Sequence, residues 1–479
     1  MQKHTSGANT APVNVVLITL DNHMSAAVDD ARRMLADELP SLHLSVHAAT
    51  DWNDNPDKLQ ACKDDIAKGN IIVASMLFIE DHVKAIGPSL AARRYHCDAM
   101  MCCMSTGEIM KNTSMGRFKM DGEQKGPLAL LKKLRGDRSK DKKDTGRTAG
   151  ERQMAMLKRL PKLLRFIPGT AQDVRNYFIA MQYRIAASDA NIANLVRLLV
   201  DKYADGERRD LRGKVTAQAP VEYPEQGVYH PDIKGRVSAG IKALPLKPEA
   251  RGTIGLLLLR SYILSGDTGH YNGVIRSLER RGFNVVPVFS SGLDMRGPIE
   301  AFLSGGQTGT RIDAMLSLTG FSLVGGPAYS DAAAAAETLA TLDVPYVAAH
   351  VTEFQSIERW EESDRGLMPI ETTIMVAIPE LDGATGTMVF GGRTENAAGT
   401  QPCVCARNLG TCPKGRSCMS AHPERVEVLA GRIEKLVALR QSERASRKVA
   451  LTIFNFPPNA GNMGTAAFLS VFESLHATM

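Results

Sequence analysis

The feature that most constrains how this chain folds is the alternation of strand-length apolar runs with helical patterns along its first hundred residues. The apolar runs lie at 13–20, 42–48, 70–78 and 98–104, and the helical patterns lie between them at 25–39, 56–68 and 80–93. Parallel strands need crossover connections, most often helices, so this order predicts βαβ units and a parallel sheet. We therefore predict an amino-terminal α/β domain over residues 12–148.

A second α/β unit is predicted to begin at Thr253, where a strand, a glycine-rich turn, a helix and another strand follow in order. The later strands are predicted at 284–289, 313–318, 344–349 and 372–378, with an alanine-rich helix at 330–342. We assign residues 250–421 to this second domain. A helix at 423–443 and a strand at 448–455 then predict the start of a third α/β unit within residues 422–479.

The region between the two domains, residues 149–249, has a different pattern. Apolar residues recur at helical spacing over 151–164 and 171–203, and a Pro-, Tyr- and Gly-rich stretch follows that is typical of an extended linker. The predicted fold class is therefore α/β: two open parallel-sheet domains with a mostly helical region between them, and the start of a third α/β unit.

The composition argues against a membrane protein. No apolar run reaches the roughly 18 residues that a membrane helix needs, and residues 1–12 lack the apolar core of a secretory signal. The sequence therefore predicts a cytoplasmic protein without a membrane span.

Positive charge is concentrated between Arg117 and Arg165, where sixteen Lys or Arg face six Asp or Glu. Such a block attracts polyanions, but Phe118, at its very start, is its one aromatic residue that could stack on bases. We interpret it as a solvated insertion and argue against nucleic acid as a partner. Residues 136–150 contain almost no large apolar side chain, and we expect them to be exposed and mobile.

Two strand-to-helix turns are candidate ligand sites. The first, SGDTGHYNG at 265–273, has backbone amides that could hold an anion and makes His270 and Tyr271 ligand-cleft candidates. The second, in NFPPNAGNMG, makes Asn459 a third candidate, because open α/β sheets bind ligands at such turns. In both turns the alternative is packing without a ligand. Neither turn is a Walker A loop, and no Rossmann G-x-G-x-x-G follows a strand.

The eight cysteines form two groups of four. Those of the first group lie in or beside apolar stretches and are predicted to be buried thiols: Cys62, Cys97, Cys102 and Cys103. Those of the second group are spaced C-x-C-x6-C-x5-C in a loop-forming segment: Cys403, Cys405, Cys412 and Cys418. Clustered thiolates suit soft metals, so the second group is predicted to bind an iron–sulfur cluster or, otherwise, zinc. The alternative is a reduced surface loop.

Five segments carry a joint resemblance to one family. They are VNVVLITLDNH, IIVASMLFIEDHV, DAMMCCMSTGEIMKNTSMGRFKM, IGLLLLRSYILSGDTGHYNGVIRSLERRGFNVVPVFSSGLD and FNFPPNAGNMGTAAFLSVFESL. Together they resemble the large, porphyrin-binding (H) subunit of magnesium chelatase, in the family that also holds the cobaltochelatase large subunit. The likeness runs through the chain apart from the basic and Cys-rich insertions.

The resemblance implies a function. A chain of this family is expected to bind protoporphyrin IX and Mg²⁺ as substrates for (bacterio)chlorophyll biosynthesis, in a complex with two partners. One partner would be an AAA+ ATPase that hydrolyses ATP and the other its adaptor, which agrees with the missing Walker A loop. Members of the family are more than twice as long, so this chain is expected to be an amino-terminal fragment, inactive alone, with catalytic residues mostly beyond Met479.

Two other functions stay open at the level of sequence. Within the same family, the alternative is a cobaltochelatase large subunit acting on a corrinoid precursor. Outside it, the alternative is a non-catalytic module in which two α/β lobes hold a small ligand.

Overall fold

The computed structural model describes residues 11–20, 22–52, 55–120, 159–306, 310–326, 329–394, 418–453 and 470–479. These residues form two mainly parallel β-sheets, each flanked by helices. The predicted α/β fold class with two parallel-sheet domains is confirmed. The proposed mobile segment 136–150 lies outside the described residues.

The first sheet has six strands in the order β2-β1-β3-β4-β5-β6. Its strands are β1 (Val13–Thr19), β2 (Leu42–Ala48), β3 (Ile71–Ser75), β4 (Ala99–Cys103), β5 (Ser114–Met115) and β6 (Phe118–Lys119). Its helices are α1 (Ser25–Leu35), α2 (Pro56–Lys68), α3 (Glu80–Arg93) and α4 (Gly107–Met110). The first four strands are parallel, and the short β5 and β6 are antiparallel additions.

The continuous apolar character of β1 follows from burial on both faces. Val15 and Leu17 point into one hydrophobic core, and Val16 and Ile18 into another on the opposite face. A strand covered on only one side would alternate apolar and polar residues, whereas a parallel strand with helices on both faces does not.

Two helices after the basic insertion cover one face of the first sheet. They are α5 (Thr170–Ile185) and α6 (Asp189–Tyr203), and residues 159–163 are also helical. The continuous helical pattern predicted over 171–203 is in fact broken at 186–188, because Ser188 starts a new helix by accepting a hydrogen bond from the Asn191 amide at 3.3 Å. Val174, Tyr177 and Leu195 join the same core as β1, so this region is part of the first domain.

The second sheet has eight strands in the order β16-β15-β14-β11-β9-β10-β7-β8. Its strands are β7 (Gln226–Tyr229), β8 (Val237–Ser238), β9 (Thr253–Leu259), β10 (Asn284–Ser290), β11 (Ala314–Ser317), β14 (Tyr346–Ser356), β15 (Thr385–Arg393) and β16 (Met419–Ala421), and a separate hairpin contains β12 (Gly325–Gly326) and β13 (Tyr329–Ser330). The five central strands are parallel, and β7, β8 and β16 pair in antiparallel fashion at the edges.

The helices of the second domain follow its strands in chain order. They are α7 (Arg260–Ser265), α8 (Gly269–Arg280), α9 (Arg296–Phe302), α10 (Ala332–Leu342), α11 (Ile357–Glu362), α12 (Pro369–Glu371), α13 (Ile378–Leu381) and α14 (Pro423–Gln441), and α15 (Val471–Thr478) lies at the end of the chain. None of the helices in the described parts of the chain is long and apolar enough to cross a membrane.

One predicted strand of the second domain is wrong. Residues 372–378 are rich in β-branched side chains, but Thr372–Ala377 form a π-helix between α12 and α13. Only Met375 within it is buried, whereas a central strand of a covered sheet needs apolar partners on both faces. The strand that pairs with β14 is β15, which the sequence pattern did not predict.

The domain boundaries also differ from the sequence assignment. β7 and β8 lie in the segment interpreted as a linker but pair with the second sheet. Helix α14, assigned to a third unit, packs Val426, Leu429 and Ile433 into the core of the second domain. A strand was predicted at 448–455. Its described residues, 448–453, are exposed and form no strand.

Candidate functional site

A cleft of about 680 Å³ lies between the first and second domains. The first domain contributes residues near the carboxyl ends of β1 and β2, and the second contributes the carboxyl ends of β14 and β15. The polar lining includes Asn22, His47, Asp51, Lys58, Glu353, Gln355, Arg359, Arg393 and Thr394. Open α/β sheets bind ligands outside the carboxyl ends of their strands, and this volume is in the range of small-molecule sites. The cleft is therefore the candidate site.

The first sheet has a topological switch point between β1 and β3, because the chain continues from β1 to β2 on one side and returns to β3 on the other. Arg184 of α5 occupies the crevice at this point. Its Nε donates to Ser75 Oγ and its Nη2 to Thr19 Oγ1, each at 2.8 Å. Burial lowers the pKa of Arg184 to about 10, so the guanidinium is still charged at neutral pH.

His23 follows the loop after β1 and contacts the second domain. Its ring meets the Tyr262 ring edge-on, with 6.1 Å between the centroids. Burial and then the charges of Arg184 and Arg393 lower the pKa of His23 to about 3. The imidazole is therefore neutral at physiological pH.

The second domain places a half-buried carboxyl group, Glu353, and a buried one, Glu371, at or near the cleft. Glu353, at the carboxyl end of β14, accepts a hydrogen bond from the Tyr262 hydroxyl, and burial raises the pKa of Glu353 above its usual range. Glu371 is fully buried and accepts hydrogen bonds from the Met368 amide at 3.0 Å and the Gln355 side chain at 2.7 Å.

Arg393 ends β15 and links the cleft to the glycine-rich turn after β9. Its Nη1 lies 3.5 Å from Asp267 Oδ2, and Asp267 Oδ1 accepts a hydrogen bond from the Met419 amide at 2.9 Å. The turn SGDTGHYNG therefore fixes the ends of β15 and β16 through its aspartate.

The ligand-cleft candidates from the sequence do not line the cleft. His270 and Tyr271 are completely buried at the start of α8. The Tyr271 hydroxyl accepts a hydrogen bond from the Leu259 amide at 3.1 Å, and the His270 ring lies 4.9 Å from the Tyr262 ring. Both residues therefore pack inside the second domain, and Asn459 lies outside the described residues.

All four cysteines of the first group, but only one of the second, lie within the described residues. Cys62, Cys102 and Cys103 are buried and Cys97 is half-buried, and burial raises the pKa of the Cys62 thiol to about 12. In the second group only Cys418 lies within the described residues. It is buried, and its backbone amide donates at 3.2 Å to Oγ1 of Thr394, which lines the cleft. No group of three or more potential ligands is arranged for a metal within the described ranges.

Sequence reasoning did not identify the charged residues that meet at the cleft. Arg393 and Glu353 lie at strand ends, where charged residues are common on ordinary surfaces. The only local signal was the polar turn after β1. The contact between the two domains brings these residues together.

Two families match the chain. The family described as CobN/Magnesium Chelatase matches residues 181–479, which is more than half of the chain. A family described as a domain of unknown function matches residues 14–178. The boundary between the two matches falls within α5.

Individual relatives extend the likeness to nearly the whole chain. The chain is 48% identical over 468 residues to the H subunit of magnesium chelatase from Rhodobacter capsulatus, covering 97% of this chain and 38% of that protein. It is 44% identical to the corresponding protein of Cereibacter sphaeroides, covering 99% and 39%. The catalytic subunit of cobaltochelatase from Mycobacterium tuberculosis has a TM-score of 0.49 and 19% identity, covering 97% of this chain and 30% of that chain. The chain thus spans roughly two fifths of the length of the two curated relatives.

Proposed function

Because the chain belongs to the CobN/magnesium chelatase family, we propose that it forms the amino-terminal part of a magnesium chelatase H subunit. The complete protein would bind protoporphyrin IX and take part in the ATP-dependent insertion of Mg²⁺ in (bacterio)chlorophyll biosynthesis. The observation that carries the proposal is the 48% identity to the H subunit of a magnesium chelatase along 97% of the chain. This likeness includes both α/β domains and the helices between them.

The chemistry of insertion sets what the complete protein has to supply. Two pyrrole N–H protons must leave, and Mg²⁺ gives up its bound water reluctantly. This calls for a base, oxygen ligands along the path of the metal, and a closed pocket. We assign none of these roles to a residue of this chain, and the described residues are proposed to provide the scaffold and the cleft.

Partners and location are part of the same proposal. Two further subunits, an AAA+ ATPase and its adaptor, would couple ATP hydrolysis to insertion, since this sequence contains no Walker A loop. We propose that the complex is cytoplasmic and that this chain alone does not complete the reaction.

The test uses the full-length product of the source gene with its two partner subunits. Incubation with ATP, Mg²⁺ and protoporphyrin IX is expected to produce the absorbance and fluorescence of the magnesium porphyrin. Incubation with Co²⁺ and a corrinoid precursor is the matched comparison. Formation of a cobalt corrinoid without any magnesium porphyrin would favour the cobaltochelatase alternative and contradict the proposal.

The cleft gives specific support to the non-catalytic alternative. A polar cavity between the carboxyl ends of two parallel sheets is also the geometry of a two-lobed small-ligand binding module. The purified chain would then bind a sugar or an amino acid but no tetrapyrrole. Titration of the chain with protoporphyrin IX and with these small molecules separates the two functions.

We also propose that Cys403, Cys405, Cys412 and Cys418 bind an iron–sulfur cluster or zinc. The support is their density in a short segment of Gly, Pro, Asn, Thr and Ser residues, which has too few apolar side chains to form a core. Three basic residues of the segment, Arg407, Lys414 and Arg416, would favour thiolates.

A further inference from the structure

The described backbone passes from the first domain to the second once, along one extended stretch. The core of the first domain continues to Val215, and the second sheet begins with β7 at Gln226. Residues 216–225, here called the crossing segment, form the connection between them. If nothing held it, an extended connection would tether the two domains loosely. The hydrogen bonds of its backbone therefore decide where the chain can bend.

The first domain holds the beginning of the crossing segment. Asn191 of α6 is fully buried, and its Nδ2 donates to the Val221 carbonyl at 3.1 Å while its Oδ1 accepts from the Val221 amide at 2.9 Å. The Gln218 amide donates to Asn194 Oδ1 at 3.0 Å, and the Tyr183 hydroxyl of α5 donates to the Gln218 carbonyl. The crossing segment is thus fixed to α5 and α6 as far as Val221.

The second domain holds the end of the crossing segment. Arg260, the first residue of α7, donates its Nε to the Pro224 carbonyl and its Nη2 to the Tyr223 carbonyl, each at 3.1 Å. The Ser291 amide, directly after β10, donates to the Glu225 carbonyl at 2.6 Å. The crossing segment is thus fixed to the second domain from Tyr223 onwards.

Glu222 is the residue between these two sets of hydrogen bonds, and its side chain is exposed. Peptide bonds are planar, so a backbone turns only about its φ and ψ angles. A change of these angles around Glu222 would rotate one domain against the other and leave the bonds to Val221 and Tyr223 intact. The backbone is therefore able to bend at this residue while each domain keeps its own structure.

A packing contact between the domains lies beside the crossing segment. Helix α1 packs against α7, and the His23 ring meets the Tyr262 ring of α7 edge-on. The Tyr262 hydroxyl bonds to Glu353 within its own domain, so it does not tie the two domains together. Arg260, which holds the crossing segment, is in the same helix as Tyr262. The ring contact and the bend at Glu222 therefore lie next to each other.

We propose that the two domains close the cleft on a bound molecule by rotating about Glu222, with the packing of α1 on α7 as the pivot. Hinges of domain closure are typically a few loop residues that absorb a change in φ and ψ. Such a rotation would move α2 relative to α11, whose Lys58 and Arg359 line the two walls of the cleft. The proposal goes beyond the proposed function, because it concerns a motion of this chain alone and does not depend on the chelatase reaction.

The test measures the distance between the two walls of the cleft in the full chain. A p-acetylphenylalanine residue replaces Asp57 of α2 and another replaces Glu362 of α11, both of which are exposed. Nitroxide spin labels attached to these residues leave the native cysteines unmodified. Double electron–electron resonance then gives the distribution of distances between the labels. A broad distribution is expected, because open and closed arrangements keep the same hydrogen bonds.

Two substitutions of the hinge residue are expected to change this distribution in opposite directions. Glu222→Gly should broaden it, because glycine has the widest range of φ and ψ angles. Glu222→Pro should narrow it, because proline fixes its own φ and restricts the preceding residue.

Glu249→Gly is the matched control, since Glu249 is an exposed glutamate in a turn of the second domain, and it should leave the distribution unchanged. Thermal unfolding of each variant checks that the fold is retained, and if Glu222→Pro does not fold, Glu222→Gly decides alone. The same distribution in the parent and in Glu222→Gly, or equal broadening in Glu222→Gly and Glu249→Gly, would overturn the proposal.

Discussion

His350 on β14 is a buried histidine that the fold keeps neutral. Its side chain is 2% exposed, and neither ring nitrogen has a hydrogen-bond partner among the described residues. Burial lowers its pKa from 6.5 to about 4. The unfolded chain therefore takes up a proton below pH 6.5 that the folded chain does not. The stability that His350 contributes is complete above pH 6.5 and is lost as the pH falls towards 4.

We predict that His350→Met reduces the pH dependence of stability. Between pH 7.5 and pH 5.0 the free energy of unfolding of the parent should fall by about 2 kcal/mol more than that of the variant. At pH 7.5 the variant should be at least as stable as the parent, because an unpaired buried polar ring is removed. Urea denaturation at the two pH values measures both effects. His43→Gln, a change at an exposed histidine, is the control, and parallel losses in parent and His350→Met would contradict the prediction.

The second prediction at the scale of residues concerns the clustered cysteines. Anaerobically purified protein is expected to contain iron and sulfide, or zinc, in about stoichiometric amounts, because thiolates of one loop can close around a soft metal. Replacing Cys405 and Cys412 by Ser should remove the metal. Replacing the buried Cys62 by Ser is the control and should not. Metal at background level in protein never exposed to oxygen or chelators would end this hypothesis.

At the scale of elements, the pairing of β14 with β15 depends on a glycine. Gly392 lies opposite Thr352 in the register of the two strands, and a Cβ atom on Gly392 would overlap Thr352 Oγ1. We predict that Gly392→Ala lowers the free energy of unfolding by about 1–3 kcal/mol through overpacking. Adding Thr352→Ala should restore part of the loss by removing the overlapping hydroxyl.

Thermal unfolding of the single and double variants checks this prediction. Gly240→Ala is the matched control, because a Cβ atom there meets no atom within 4 Å. A double variant no more stable than Gly392→Ala would show that the hydroxyl is not the cause.

At the scale of the whole molecule, the first domain needs the helices that follow the basic insertion. Tyr177 of α5 is 3% exposed and donates its hydroxyl to the Cys102 carbonyl of β4 at 3.0 Å. Arg197 of α6 forms an ion pair with Glu38 at 2.6 Å. Without α5 and α6, one face of the first sheet would expose its apolar side chains to water.

We therefore predict that a fragment of residues 11–225 unfolds cooperatively and that a fragment of residues 11–120 does not. The shorter fragment loses a large part of the core that contains β1, and with it much of its hydrophobic stabilisation. Circular dichroism during urea titration of both fragments measures the difference. A sharp transition in residues 11–120 alone would refute the assignment of the two helices to the first domain.

The sequence by itself determined the local elements and the fold class. Strands such as β1 and β9 are continuous apolar runs because helices cover both of their faces, and that requirement can be read in the order of the residues. The helices between them show their spacing equally plainly. The prediction failed at residues 372–378, where β-branched side chains suggested a strand, and at β15, because pairing with a neighbour rather than local preference decides what forms a strand.

The tertiary structure decided which residues form the site. Arg184 bonds to Thr19, 165 positions earlier in the chain, and Arg393 lines a cleft to which both domains contribute residues. Hydrophobic periodicity repeats over three or four residues and carries no information about such distant partners. The burial of Arg184 depends on how α5 crosses the first sheet, and the cleft depends on how the two domains dock, because long-range packing decides which groups lose contact with water.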